Sequence, residues 1–304
     1  LRLLITGGSG FIGRHLTNSL IGYEADICFV ERECVPREAV ETITYKYFLS
    51  ESFQDYNFDA LIHLAGAAHE AYSDKEAYSL NVDLSKKVLT KASWLGIPKV
   101  IYLSTANVYL NNKGKANVFS TLHNVSRLNN TTKTKLEAEQ YVKESSLTYT
   151  IIRSPLVYGE GVKANFSSLM RLINKGLPLP FRAIKNNKRS LVSVYNLVDL
   201  IKVCIEHPKA ANQEFLVSDD NDMSTAEMVA LMAKVQNKKN IALPVPIWCF
   251  KLAGKLLNKA DVINRLTGSL QLDITHTKNT LNWTPPYSVE HGFELAAKKS
   301  TRDN

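Results

Sequence analysis

Residues Thr6 to Gly13 read T-G-G-S-G-F-I-G, directly after an opening run, Leu1 to Ile5, that is apolar except for Arg2. Such a run has the pattern of a strand buried on both faces. Behind the glycines, Phe11 to Leu20 place Ile12, Leu16 and Leu20 on one helical face. Strand, glycine turn and helix in that order open a dinucleotide-binding βαβ unit. Gly7 permits the tight turn, Gly10 lets the backbone approach a pyrophosphate, and Gly13 lets the helix pack on the strand. The helix N-terminus, with Phe11 and Ile12 in its first turn, offers free N–H groups and a positive dipole end to phosphates.

The 304 residues are 45% hydrophobic and 22% charged, proportions that support a substantial globular core. The four cysteines, at 28, 34, 204 and 249, have neither metal-type spacing nor a disulfide framework, which points to a reducing cytoplasm. No apolar run approaches the ~18 residues of a membrane span, and no secretory leader is read ahead of the first strand. The net charge of +8 gathers at Lys185, Lys188 and Arg189, at Lys238 and Lys239, and at Lys251, Lys255 and Lys259. Without interleaved aromatics or a reading helix, these clusters do not point to nucleic acid. They would steer a diphosphate-bearing ligand.

Strands are expected at Asp26 to Val30, Tyr45 to Leu49 (weaker), Ala60 to Ala65, Val100 to Ser104 and Thr148 to Arg153. A helix is expected over Ala77 to Leu95, closed by Gly96-Ile97-Pro98. Strict βα alternation predicts an α/β fold with a doubly wound parallel sheet of Rossmann type. After Arg153 the punctuation changes and a smaller lobe is expected over the sheet's C-terminal edge. The expected division assigns residues 1–158, plus about 190–205, to the nucleotide domain, and 159–189 and 206–304 to the lobe. Glu31 ends strand two, 18 residues past Gly13, where a carboxylate accepts ribose hydroxyls and repels a 2′-phosphate. That favours NAD, while Arg32 beside it leaves NADP open.

The T-G-G-x-G-x-x-G spacing resembles the extended short-chain dehydrogenase/reductase superfamily of nucleotide-sugar epimerases, dehydratases and reductases. The likeness runs along the chain. His63-Leu64-Ala65-Gly66-Ala67 is similar to the loop that passes under the cofactor, which implicates Leu64, Ala65 and Gly66. Asn81 matches a helix asparagine that orders the active-site backbone. Pro155-Leu156-Val157-Tyr158-Gly159 resembles the segment along the nicotinamide, which implicates Pro155 and Val157. An aspartate that often meets the adenine has no counterpart in Tyr47-Phe48-Leu49-Ser50.

In that superfamily a tyrosine moves the sugar's proton. A lysine one helical turn later lowers the phenol's pKa, and a hydroxyl residue from the preceding strand end holds the same oxygen. Ser104-Thr105-Ala106-Asn107-Val108-Tyr109 resembles that strand end, with Thr105 as the hydroxyl residue. Lys135-Leu136-Glu137-Ala138-Glu139 resembles the lysine helix, with Lys135 as the lysine. Four residues before Lys135 stands Thr131, where the resemblance calls for tyrosine. The chain's one Y-x-x-x-K, Tyr109 to Lys113, falls in a turn rather than a helix. The histidines, His63 and His69 included, form no metal motif.

Further on, Asn165, Arg189 and Arg265 fall where the resemblance implies contacts to a substrate diphosphate. Asp199 reads as a packing residue. The closing stretches Asn264 to Leu270 and Leu281 to Pro286 are similar to a subgroup of bacterial UDP-sugar 4-epimerase-like proteins and of reductases that form UDP-N-acetylquinovosamine. The resemblance therefore implies an NAD-dependent enzyme acting at C4 of a UDP-hexose or UDP-N-acetylhexosamine, as a homodimer. The missing tyrosine raises the alternative of a catalytically impaired binder.

Overall fold

β1 (Arg2–Thr6) lies inside a parallel sheet, and the rest of the chain is arranged around it in a computed structural model. The structure describes residues 1–21, 25–35, 40–67, 72–110, 114–120, 122, 128–162, 165–257 and 260–300. The side chains of Asn165, Ala260, Asp261, Arg265, Lys299 and Ser300 lie outside that description. The first half runs α1 (Phe11–Leu20), β2 (Asp26–Glu31), β3 (Glu41–Thr44), α2 (Tyr45–Phe48), β4 (Ala60–His63), α3 (Asp74–Tyr78), α4 (Leu84–Trp94) and β5 (Lys99–Thr105). There follow β6 (Lys115–Ala116), α5 (Asn130–Glu144), β7 (Thr148–Ser154), β8 (Leu156–Tyr158), α6 (Asn165–Asn174), β9 (Leu191–Ser193), α7 (Val194–Glu206) and β10 (Gln213–Leu216). The chain ends with α8 (Thr225–Val235), α9 (Ile247–Leu256), α10 (Ala260–Thr267), β11 (Gln271–Leu272), α11 (Thr275–Leu281) and α12 (Val289–Ser300).

Among the described residues the main sheet has seven strands, in the order β10-β7-β5-β4-β1-β2-β3, all parallel. The chain winds from β1 outward through β2 and β3, then crosses to β4 on β1's other side. That reversal opens a crevice at the carboxyl ends of β1 and β4, where ligands of open α/β sheets bind. The period of two in each strand feeds both faces. Leu3, Ile5, Phe29, Ile62 and Ile101 meet Leu16 and Leu20 of α1 and Leu197 and Ile201 of α7. Leu4, Val30, Leu61, Val100 and Ile151 meet Val88 and Ala92 of α4 and Ala138 and Val142 of α5. A separate core of Tyr158, Phe166, Met170, Phe181, Met223, Met232 and Phe293 builds the lobe.

Three expectations change. The weak third strand predicted at Tyr45 to Leu49 lies earlier, at Glu41–Thr44, and Tyr45–Phe48 is one helical turn. Thr44 ends the strand because its hydroxyl accepts the Tyr47 N–H at 3.2 Å, an N-cap. The helix predicted over Ala77 to Leu95 starts earlier, under a capping box from Ser73 and Glu76. It then loosens into a π-helical turn at Ser79–Asp83. Finally, residues 206–304 are not all lobe. β10 is the sheet's edge strand, paired Phe215 to Ile152, and Leu270, Leu272, Leu281 and Trp283 join the core beneath the sheet. A four-residue strand inside a mainly helical stretch carries too little periodicity to be read from sequence.

Candidate active site

The glycine turn is tight because other backbone lies against it. Gly7 sits at φ +74°, and a Cβ on it would come within 2.7 Å of the Ala65 nitrogen. Gly10 N–H donates to the Gly7 carbonyl at 3.0 Å, closing the turn. A Cβ on Gly13 would fall 2.6 Å from Gly8 Cα, so only glycine lets α1 seat there. Gly10 is exposed, and a Cβ on it would meet only the Gly7 carbonyl, at 3.0 Å. No side chain caps α1 at Gly10, and Phe11 and Ile12 open the helix, whose first N–H groups have no intrahelical partner. This cradle fits a pyrophosphate. Glu31, buried at the carboxyl end of β2, and the exposed Arg32 stand one strand over.

The loop after β4 is held from both sides. Leu64 N–H donates to the Thr6 carbonyl at 3.1 Å, and Ala65 N–H donates to the Thr6 hydroxyl at 3.3 Å. That hydroxyl also meets His63 Nδ1 at 2.6 Å, while His63 Nε2 meets the Ser85 hydroxyl at 2.8 Å. Burial, helped by the nearby Lys135 charge, pushes the His63 pKa down to about 3, so the ring is neutral. Asn81, in the π-helical turn, accepts the Ala67 N–H at 2.8 Å and donates to the Thr134 hydroxyl at 2.9 Å. It thereby ties the loop to α5. A Cβ on Gly66 would sit 2.6 Å from Asn81 Oδ1 and 3.4 Å from Lys135 Nζ.

Lys135 is buried and donates from Nζ to the Leu103 carbonyl at 2.9 Å, near the end of β5. Burial lowers its pKa to about 8, against the partial support of Glu139. Thr105 ends β5 half-buried, its hydroxyl accepting the Asn107 N–H at 3.2 Å. Thr131 lies in the first turn of α5, half-buried, one helical turn before Lys135. Its carbonyl accepts from the Thr134 hydroxyl at 3.1 Å. Tyr109 is buried, and Arg153 donates to its oxygen at 2.5 Å. Lys113 and His69 lie outside the described residues.

Behind Lys135 stands an arrangement that the motif reading missed. Arg153 and Glu139 form a buried bidentate pair, Nε to Oε1 at 3.0 Å and Nη2 to Oε2 at 2.5 Å. The Ser104 hydroxyl donates to the same carboxylate at 2.5 Å, and Glu214 of β10 reaches Arg153 at 2.7 Å. The signal was present: an arginine inside the apolar run of β7 requires a buried carboxylate.

Pro155 is buried and Val157 half-buried along β8, which pairs with β9. Arg189 is half-buried; its N–H donates to the Met223 carbonyl at 2.9 Å and its Nη1 to the Gly268 carbonyl at 3.5 Å. Buried Asn187 donates to the Leu266 and Gly268 carbonyls at 3.2 and 3.3 Å, fixing the end of α10. The side chains of Asn165 and Arg265 lie outside the described residues, although their backbones start α6 and continue α10. Asp199 accepts Trp283 Nε1–H at 2.8 Å, a packing bond.

A phosphate cradle at a sheet's switch point, with a buried lysine held against the neighbouring strand end, defines a Rossmann-type nucleotide-dependent protein. More narrowly, the chain belongs to the NAD dependent epimerase/dehydratase family, whose model matches residues 3–218. It is 42% identical to the UDP-glucose 4-epimerase of Vibrio cholerae, over 99% of this chain and 96% of that one. It is 24% identical to an N-acetyl-alpha-D-glucosaminyl-diphospho-ditrans,octacis-undecaprenol 4-epimerase of Escherichia coli O157:H7, over 96% of this chain and 93% of that one. In fold it resembles UDP-glucuronic acid 4-epimerase from Bacillus cereus in complex with NAD, with TM-score 0.80, 16% identity, and 99% and 97% of the two chains covered.

Proposed function

We propose that this protein binds NAD at the glycine turn and epimerises a UDP-linked hexose or N-acetylhexosamine at C4, as a homodimer. One observation carries the reading: the cofactor loop, the β5 end and α5 converge on Lys135. Its Nζ donates to Leu103 and lies 3.4 Å from the Cβ position of Gly66. The 42% identity to a 4-epimerase over nearly the whole chain supports the same activity. NAD, when bound, supplies a hydride acceptor and donor for C4.

The chain's own residues then have separable tasks. Gly7, Gly10, Phe11, Ile12 and Gly13 seat the pyrophosphate, and Glu31 takes the adenosine ribose. Leu64, Ala65, Gly66, Pro155 and Val157 flank the nicotinamide end, with Asn81 holding that backbone in place. Lys135 binds the nicotinamide ribose and Thr105 the C4 oxygen. Asn165, Arg189 and Arg265 hold the UDP diphosphate. Thr131 replaces the family's tyrosine. An aliphatic hydroxyl is a far weaker acid than a phenol and several ångströms shorter, so a water or another group carries the proton.

The test is incubation with UDP-glucose and UDP-N-acetylglucosamine, with the 4-epimers resolved chromatographically and the retained cofactor identified. Conversion without added NADH supports epimerisation; conversion of a 4-keto sugar only with added NADH assigns reduction instead. Thr131 itself favours a second reading, a binder of NAD and sugar nucleotide with little turnover. Tight binding of both ligands without conversion would establish it.

A further inference from the structure

Between Lys238 and Ala260 the sequence holds five lysines and no aspartate or glutamate. The structure lays residues 238–257 of this stretch along the outside of the lobe. Leu179 N–H donates to the Ile241 carbonyl at 2.9 Å and Leu243 N–H to the Leu179 carbonyl at 2.8 Å, which pins the run ahead of α9. α9 is seated through Phe250, which stacks on Phe181 with ring centroids 6.0 Å apart, through buried Gly254, through Ile247 on the lobe core and against α10.

The 100° step of the helix turns the other side to solvent, and that side is apolar. Trp248, Leu252 and Leu256, at four-residue spacing, are 66%, 52% and 75% exposed, with Leu257 at 67%. Lys251 and Lys255 are exposed on the same arc, and Lys238 and Lys239 are exposed at the approach. Ile241 and Leu243 add further exposed apolar surface, at 45% and 46%. A water-facing helix places its polar side chains here, whereas this one presents its largest apolar ones.

We propose that α9 and the 238–243 run before it form a docking face for an anionic lipid bilayer, with α9 lying in the headgroup plane. The composition is that of an interfacial helix: aromatic and leucine side chains to enter the acyl boundary, lysines to meet lipid phosphates. Lysine stems are apolar and long enough to keep their ammonium groups at the headgroups while the leucines sink. Ten residues rise only about 15 Å, so α9 lies on a bilayer rather than crossing it. Charge selects the lipid over a second copy of the chain, because two copies joined through this face would oppose lysines to lysines without an acidic residue from the same stretch.

The whole chain is tested by flotation with vesicles of phosphatidylcholine alone and of phosphatidylcholine with about a third phosphatidylglycerol. Flotation is expected with the anionic vesicles at low salt, and at least about tenfold less with neutral ones. The tryptophan emission shifts to the blue on binding, and Trp248→Phe removes that shift. Leu252→Ser/Leu256→Ser and, separately, Lys251→Glu/Lys255→Glu lower vesicle binding by at least about tenfold, with unchanged circular dichroism and melting. Absence of flotation by the folded wild-type chain would overturn the proposal. So would flotation that both double variants leave intact. A dimer in sedimentation that Leu252→Ser/Leu256→Ser dissociates, without vesicle binding, would assign the face to a second copy.

Discussion

Lys135 carries an amine where water does not reach, and burial lowers its pKa from 10.5 to about 8. Between those values the unfolded chain binds the proton and the folded chain does not. Stability conferred by this group therefore rises with pH across about 8 to 10.5, and the cost of burying the charge is present in full below about 8. Lys135→Met should remove that slope, as measured by urea midpoints at pH 7.5, 9 and 10. A slope retained in the variant would assign it to another group. Lys135→Met should also weaken NAD binding in calorimetry. Thr131 is tested at the same scale. If it stands in for the phenol, the wild-type chain turns over slowly and Thr131→Tyr accelerates it, since a positioned acid–base group is worth about 10²–10⁴ in rate. Rapid wild-type turnover would show that another group carries the proton well.

β5, α5 and β7 are joined by one buried carboxylate. Glu139 holds Arg153 bidentately and accepts from Ser104, the residue before Thr105, while Lys135 sits one helical turn away on α5. Removing one partner leaves an uncompensated buried charge. Glu139→Ala or Arg153→Ala should cost about 3–5 kcal/mol in chemical unfolding. The double replacement Glu139→Leu/Arg153→Met should recover part of that loss, because an apolar pair of similar volume removes the desolvation cost. If the single variants cost less than about 1 kcal/mol, the pair is not what aligns these elements. The π-helical turn between α3 and α4 is a second device at this scale, because it places Asn81 against the Ala67 backbone and the Thr134 hydroxyl at once.

At the scale of the molecule, the sheet supplies the cofactor crevice and the lobe supplies the groups expected to hold a second ligand. A ligand that binds only the folded chain stabilises it by mass action. NAD at a hundredfold its Kd should add about 2.7 kcal/mol, visible as a higher Tm. NADP at equal concentration should add less if Glu31 decides; the reverse order would make Arg32 the determinant. UDP should raise the Tm as well. In calorimetry Arg189→Ala should weaken UDP by about 1.5–3 kcal/mol, the range of a hydrogen bond to a charged group. Unchanged UDP affinity would remove Arg189 from the site.

Much of this was legible from local pattern. Leu1 to Gly13 announce strand, turn and helix, because the glycine steric requirement and the apolar period are both properties of adjacent residues. K-x-x-x-E on one helix likewise places Lys135 and Glu139 a turn apart. Local pattern failed where partners are distant in sequence. β10 is a strand because Phe215 finds Ile152, not because its four residues demand it. The neutral state of His63, the lowered pKa of Lys135 and the pairing of Arg153 with Glu139 all follow from desolvation, and burial exists only once the sheet has closed over these groups. The same holds for α9. Its lysines and leucines are plain in the chain, but which side Phe250 seats, and so which side faces out, was decided by packing against Phe181.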